Sequence, residues 1–266
     1  MKYIVLLSFI LPINLCAQNF GTIRYYAKYN ILSPALKVSK DDVEYETEDA
    51  WLYFSASKSL FQQKLNSAVT QVMRGPNGVE KRLISRKNPE KLDKTGALYF
   101  RDVQTREMLK RDNFTFSRET YYNVKDTFIN IKWTITNEKK SIGKFVCKKA
   151  EASAYGRKWT AWFTTDIPVN VGPWKLWGLP GAILEAADST NTYLFLFREV
   201  TIPDLEAETK IKELKPAGDN FLSHDAFVKL YFRKKEERRK YILSLLQEGG
   251  AVEFKEEIEP FVANVK

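Results

Sequence analysis

A chain of 266 residues, 44% hydrophobic and 28% charged, is long enough to bury a core without covalent staples. Lys and Arg outnumber Asp and Glu by 42 to 33, giving a formal charge of +9, which suits an anionic membrane surface or an acidic partner, or equally a basic surface that merely keeps the protein soluble. One histidine and two cysteines exclude a multi-histidine metal centre and the usual zinc ligand sets. No phosphate-cradling glycine loop follows a predicted strand, so no cofactor is expected. Export, which the first residues predict, leaves no genome for the positive charge to meet, so no nucleic acid is expected either.

The first residues address the compartment. Basic Met1-Lys2 precedes an apolar run from Tyr3 to Leu15, broken only by Ser8, Pro12 and Asn14, and Ala17 supplies a small residue before Gln18. That order predicts a secretory signal peptide over 1–17, with 18–266 left as a single β-rich domain exported to the periplasm or the outside. The run is too short and too interrupted to span a bilayer, so no integral membrane segment is expected. A lipid anchor at Cys16 would need a small residue before it, and Leu15 is not one. Cys147 then stands alone and reads as a buried small apolar residue rather than half of a disulfide.

Most of the remaining chain reads as strand. Ile23, Tyr25, Ala27 and Tyr29 alternate with polar neighbours, and Trp51 to Ala56 and Gly96 to Arg101 are aromatic-rich runs. Between them, Leu65 to Thr95 is charged and carries Arg74-Gly-Pro-Asn-Gly78, the composition of a loop with a short helix. Tyr121 to Lys125 reads as a strand. So does Phe128 to Thr136, where Ile129, Ile131, Trp133 and Ile135 share one face, with Asn137 to Lys140 as the following turn. Lys144 to Tyr155, Lys158 to Thr164, Ala182 to Ala186 and Tyr193 to Thr201 continue the series across short polar turns, which predicts an antiparallel meander. Trp159 and Phe163 face one way and Trp162 the other, while Tyr193, Phe195 and Phe197 oppose Leu194, Leu196 and Val200. Both sides of such a sheet need cover.

The cover is expected from one long C-terminal helix. Ser223 is a good N-cap and Gly249-Gly250 a stop. Phe227, Leu230, Tyr231, Tyr241, Ile242 and Leu245 form a stripe that also includes the stems of Lys234 and Arg238. Arg233 to Lys240 forms a solvated face supported by pairs such as Glu236 with Lys240. The predicted fold is therefore mainly β with α: a curved antiparallel meander or half-barrel with an amphipathic helix packed on it.

Residues 166–181 break the pattern. Pro168 and Pro173 stiffen a long connection that carries Trp174 and Trp177, and Pro180-Gly181 fits the centre of a type II turn in the corner Gly178-Leu179-Pro180-Gly181. Two readings stand side by side. The rings plug one end of the core, or Trp174, Trp177, Leu179 and Pro180, with Trp162, rim a groove for an apolar or peptide-like ligand. Arg233, Arg238 and Arg239 on the basic helix face are the candidate contact for a protein partner. Catalysis has weak support. A Ser-His-Asp triad would need His224, which lies beside the N-cap with no nucleophile elbow in the chain, and the candidate hydrolytic carboxylates Asp126, Glu185 and Asp188 include no obvious pair.

Trp177-Gly-Leu-Pro-Gly-Ala-Ile-Leu184 resembles the signature of the GLPGLI family, exported proteins of one phylum of Gram-negative bacteria. Trp133-x-Ile135, Glu138-x-Lys140, Ile142-Gly143, Cys147-Lys-Lys-Ala150, Gly156-Arg157, Ala161-Trp-Phe163, Asp166-Ile-Pro168 and Gly172-Pro173 fit the same pattern. Ala182 departs from it, since the motif has a second Leu there. The resemblance implies export and an association with outer-membrane transport systems, so the expected partners are a transporter or receptor, or a lipid or peptide ligand. It supplies no activity and no catalytic residues. The half-barrels that carry lipoproteins or lipids are a fold-level analogy only.

Overall fold

The structure, a computed structural model, describes residues 20–30, 45–64, 68–74, 80–86, 93–114 and 117–245. The expected signal peptide, Cys16 and the Gly249-Gly250 stop lie outside them. The N-terminal half holds β1 (Gly21–Asn30), β2 (Tyr45–Phe54), β3 (Lys58–Gln63), β4 (Ala68–Arg74), β5 (Glu80–Arg86), β6 (Ala97–Asp102), β7 (Glu107–Phe114) and β8 (Ser117–Lys125). The C-terminal half holds β9 (Thr134–Ile142), β10 (Phe145–Ala154), β11 (Arg157–Thr164), β12 (Ala182–Asp188) and β13 (Tyr193–Thr201). These are followed by α1 (Ala207–Leu214), the two-residue β14 (Leu222–Ser223) and α2 (His224–Leu245).

The fold is mainly β. Twelve strands form one sheet in the order β14-β8-β7-β6-β3-β2-β1-β13-β12-β11-β10-β9, with every pairing antiparallel except β14 on β8. It is two meanders joined through β1, which pairs with β2 on one side and with β13, far away in sequence, on the other. The alternation in β1 does this work: Ile23, Tyr25 and Ala27 are fully buried while Tyr26 on the opposite face is exposed.

One face of the sheet is covered by two stretches without regular structure, 126–133 and 165–181. Ile131, Ile167, Val169, Val171, Leu176 and Leu179 pack there with Tyr25, Phe61, Tyr99, Ala161 and Phe163 in the principal core. On the other face Leu60, Leu98, Phe100 and Leu109 form a second core closed by Ile211 of α1. Every residue of β6 is consequently buried. The need for cover on both faces is met, but over β3, β6 and β7 the helix that meets it is α1, which the sequence reading did not contain. On β11 and β13 the outward residues Trp162, Leu194, Leu196 and Val200 stay half-buried.

Four expectations change. Residues 68–74 and 80–86 are strands paired antiparallel from Ala68 with Arg86 to Arg74 with Glu80, in a hairpin of their own rather than a loop with a helix. Segment 126–133 is not strand. Its apolar residues anchor a connection instead, and β9 begins at Thr134 and runs through the expected turn at Asn137–Lys140. The turn falls at Gly143-Lys144, because Gly143 supplies the left-handed backbone (φ 55°) that a two-residue hairpin needs.

The type II corner is also displaced. Gly181 does not adopt positive φ; the tight turn is Pro173–Leu176, closed by Leu176 N–H donating to the Pro173 carbonyl, with Trp174 at φ 53°. Gly181 is required for space, since a Cβ there would lie 2.1 Å from the Thr164 carbonyl oxygen.

Finally, among the described side chains the contacts of α2 with the sheet lie near its N-terminal end. Ser223 caps it as expected, its hydroxyl accepting from Ala226 N–H. Phe227, Val228 and Tyr231 then pack on Phe114 and Val124, while Tyr241 is 64% exposed, and the side chains of Ile242 and Leu245 lie outside those described. Glu236 pairs with Arg239 rather than Lys240, and Glu237 pairs with Arg233 and Lys234, so the charged run largely satisfies itself. Among the described residues no helix is long and apolar enough to cross a membrane.

Candidate functional site

The Asp166–Gly181 connection separates its two tryptophans. Trp174 is partly buried and packs on the core, with its ring against Tyr99, Tyr155 and Trp159 at centroid distances of 6.2, 4.9 and 5.7 Å. Those contacts hold a bulky residue at positive φ, a conformation with a real steric penalty. Trp177 is the more buried of the two, a member of the principal core at 8% exposure. Phe128 packs on it at 4.8 Å, and the Trp133 indole N–H donates to its carbonyl at 2.7 Å.

Beside Trp177 is a cleft of about 170 Å³, lined also by the β2–β3 turn residues Ser55 and Ser57, by Lys58 at the start of β3, by Arg101 at the end of β6, and by Asn170. Arg101 is the unusual member. It is 5% exposed, yet no carboxylate lies within ion-pair distance of it among the described residues. Its guanidinium stands over the Trp177 ring at 4.7 Å and donates to the Asn170 carbonyl at 2.7 Å. The Asn170 side-chain oxygen accepts from Gly178 N–H, so one residue ties the arginine to the glycine of the motif. Burial draws the Arg101 pKa down to about 10. The Arg101 Nε and the Trp177 Nε1 are both buried without a partner among the described residues. Two donors with nothing to bond, both in residues lining one cleft, carry a desolvation penalty that a bound acceptor would relieve.

A buried charge cluster backs this loop. Lys175 donates to Asp126 at 3.1 Å, His224 Nδ1 meets the other Asp126 oxygen at 2.8 Å, and Lys110 approaches Asp112 at 3.6 Å. The Lys175 and Lys110 ammonium groups stand over the rings of Tyr155 and Phe227, each at 4.2 Å. Burial raises the Asp126 carboxyl pKa, but Lys175, Lys110 and His224 together hold it well below the usual range. The cluster joins the connection after β8, the aromatic loop and the start of α2. It has the composition of a structural lock, and no nucleophile among the described residues is in hydrogen-bond contact with His224.

The other candidate residues scatter. Leu179 is buried in the core and Pro180 is exposed at the loop surface. Trp162 is on the outward face of β11 under the Lys140 ammonium at 4.5 Å, away from Trp174 and Trp177. Glu185 pairs with Lys140, and Asp188 pairs with Arg157 and accepts from Tyr193 N–H in a turn. With Asp126 bound to Lys175, the three carboxylates proposed for hydrolysis each serve a different ion pair. Arg233, Arg238 and Arg239 are exposed on α2. Cys147 is fully buried, and burial pushes its thiol up to about 11.

Sequence reasoning missed Arg101, Ser55, Ser57 and Asn170. A signal existed for the first. In Ala97-Leu-Tyr-Phe-Arg101 the period of two places Arg101 on the same face as Tyr99, inside the core.

No curated protein matches this chain. Two solved structures of PNGF-II, in the P21 and C2 space groups, are 13% and 14% identical with TM-scores of 0.46 and 0.48. They cover 77% and 83% of this chain, which in turn spans only 31% and 33% of theirs. The family described as "Protein of unknown function (Porph_ging)" matches residues 156–185, the stretch that holds β11, the aromatic loop and the start of β12, and so contains Trp177 and Gly178.

Proposed function

We propose that this is a non-enzymatic, exported cell-envelope protein of the GLPGLI type that binds a peptide-like ligand in the cleft beside Trp177. The observation that carries the reading is the buried, unpartnered Trp177 indole N–H in a residue that forms the cleft wall with Ser55, Ser57 and Asn170. A peptide carbonyl would satisfy it, and Val103 and Val171 offer apolar contact alongside. The wall is fixed in advance by the Trp133 and Asn170 hydrogen bonds, which reduces the ordering that binding requires.

Native mass spectrometry of the mature chain, mixed with peptide fractions from the envelope, tests this reading. A retained peptide that is lost in Trp177→Phe, with the melting temperature little changed, supports it. No retained peptide in the parent protein ends it.

A second reading has one feature in its favour. Phe232 and Tyr241 are 51% and 64% exposed on α2 among Arg233, Arg238 and Arg239, a mixture suited to a protein contact such as an outer-membrane transporter. A salt-sensitive pulldown abolished by charge reversal at Arg238 and Arg239 would favour it.

A further inference from the structure

We infer that the cleft beside Trp177 is a carboxylate site, in which Arg101 Nε and Trp177 Nε1 are the donors. This rests on the reading of that cleft as the ligand site and names the chemistry it takes.

The inference begins with charge. A guanidinium moved out of water is penalised by several kcal/mol unless an anion or a full set of acceptors meets it. Arg101 has one carbonyl, from Asn170, and the face of Trp177. Neither is an anion, and its Nε is left over. The nearby ionic cluster does not supply the missing charge. Asp126 is taken by Lys175 and His224, and Asp112 faces Lys110.

Geometry and size narrow the class. Arg101 presents a planar donor edge, and the indole N–H of Trp177 comes from the ring stacked beneath it, a pairing suited to a planar two-oxygen acceptor. Lys58 also lines the cleft but is 3.9 Å from Asp102, so the uncompensated charge in the wall is that of Arg101 alone. A monoanion balances it. A phosphate dianion would leave a net negative charge in a pocket of about 170 Å³. A peptide C-terminus or a fatty acid could present the same group.

The test uses the ¹⁵N-labelled mature chain, with the Trp177 indole signal assigned by its disappearance in Trp177→Phe. Three probes are titrated to roughly 10 mM, beyond the weakest affinity of interest: N-acetyl-Ala-Ala with a free carboxylate, the same dipeptide as its C-terminal amide, and octanoate. The expected result is a shift of the Trp177 signal by the free acid and not by the amide. Calorimetry should show Arg101→Lys weakening the free acid about tenfold and Arg101→Gln removing binding, consistent with loss of a charge-assisted contact. Should Arg101→Gln fail to fold, Arg101→Lys and Trp177→Phe carry the comparison.

The arms separate the two claims. Binding by octanoate alone keeps the carboxylate site and ends the peptide reading. Equal binding by acid and amide overturns the carboxylate inference and leaves the peptide cleft standing. No shift with any probe overturns both.

Discussion

Asp126 and Lys175 are 49 residues apart in the chain and 3.1 Å apart in space, each with a side chain 1% exposed. Their pair fastens the connection after β8 to the loop that carries both tryptophans, and His224 extends it to the first residue of α2. Removing one partner leaves a buried charge uncompensated. Lys175→Met is therefore expected to cost about 3–5 kcal/mol, and the double variant Asp126→Asn/Lys175→Met less than the sum of the single changes. Urea unfolding of the four proteins measures the coupling, and strict additivity would show that the pair contributes nothing of its own.

Acid should act through the same carboxylate. Its pKa in the fold is well below its value in the unfolded chain, so its stabilisation is complete above the unfolded value, near 4. The contribution is lost as pH falls from there toward the lower native value. Melting temperatures taken between roughly pH 6 and pH 2 should decline less steeply below about pH 4 in Asp126→Asn than in the parent. Parallel curves would place the acid sensitivity elsewhere.

The two motif glycines are needed for different reasons and should respond differently to alanine. At Gly181 the new Cβ meets the Thr164 backbone at 2.1 Å, which neither strand can relieve without shifting β11 against β12. At Gly178 the nearest atoms are 3.4 Å away and the penalty is the positive φ of 107°. Gly178→Ala is expected to cost about 1 kcal/mol and Gly181→Ala clearly more. Thermal unfolding ranks them, and the opposite order would show that the corner is misread.

Among the described side chains, α2 is held near its N-terminal end. Phe227→Ala should destabilise by about 3 kcal/mol, because its ring is buried against Phe114 at 5.0 Å. Tyr241→Ser should fall within about 0.5 kcal/mol of the parent. A large effect at Tyr241 would mean that the far half of the helix is covered after all.

Cys147 provides a readout of global opening. Full burial and a thiol pushed up to about 11 leave almost no thiolate at neutral pH. Alkylation by iodoacetamide should be negligible in the native protein and should rise along the urea unfolding curve. Rapid native labelling would show that the core opens locally at β10.

Much of the sheet is legible in the residues. Alternation in Ile23–Tyr29 marks a strand whose one-sided burial is a local consequence of a two-residue period, and Lys158–Thr164 and Tyr193–Thr201 are marked as strands by apolar residues on both faces. β7 shows where this stops. In Glu107–Phe114 the inward side includes Lys110 and Asp112, so its alternation reads inside out until their mutual pairing and the ring of Phe227 are known. The candidate site was half visible: Trp177 was named, while Arg101 lay unremarked at the end of an apolar run.

The sequence by itself determined that this is a β-rich antiparallel chain with a stiff aromatic loop at residues 166–181 and a helix beginning after Ser223. Period, turn residues and caps act over a few neighbours, and they are written in order along the chain. Tertiary structure decided how the two tryptophans pack, which helix covered the outer face over β3, β6 and β7, and that Arg101 meets no carboxylate among the described residues. Those outcomes depend on groups far apart in the chain sharing a low-dielectric interior, as Asp126 with Lys175 and Tyr25 with Ile183 do across 49 and 158 residues.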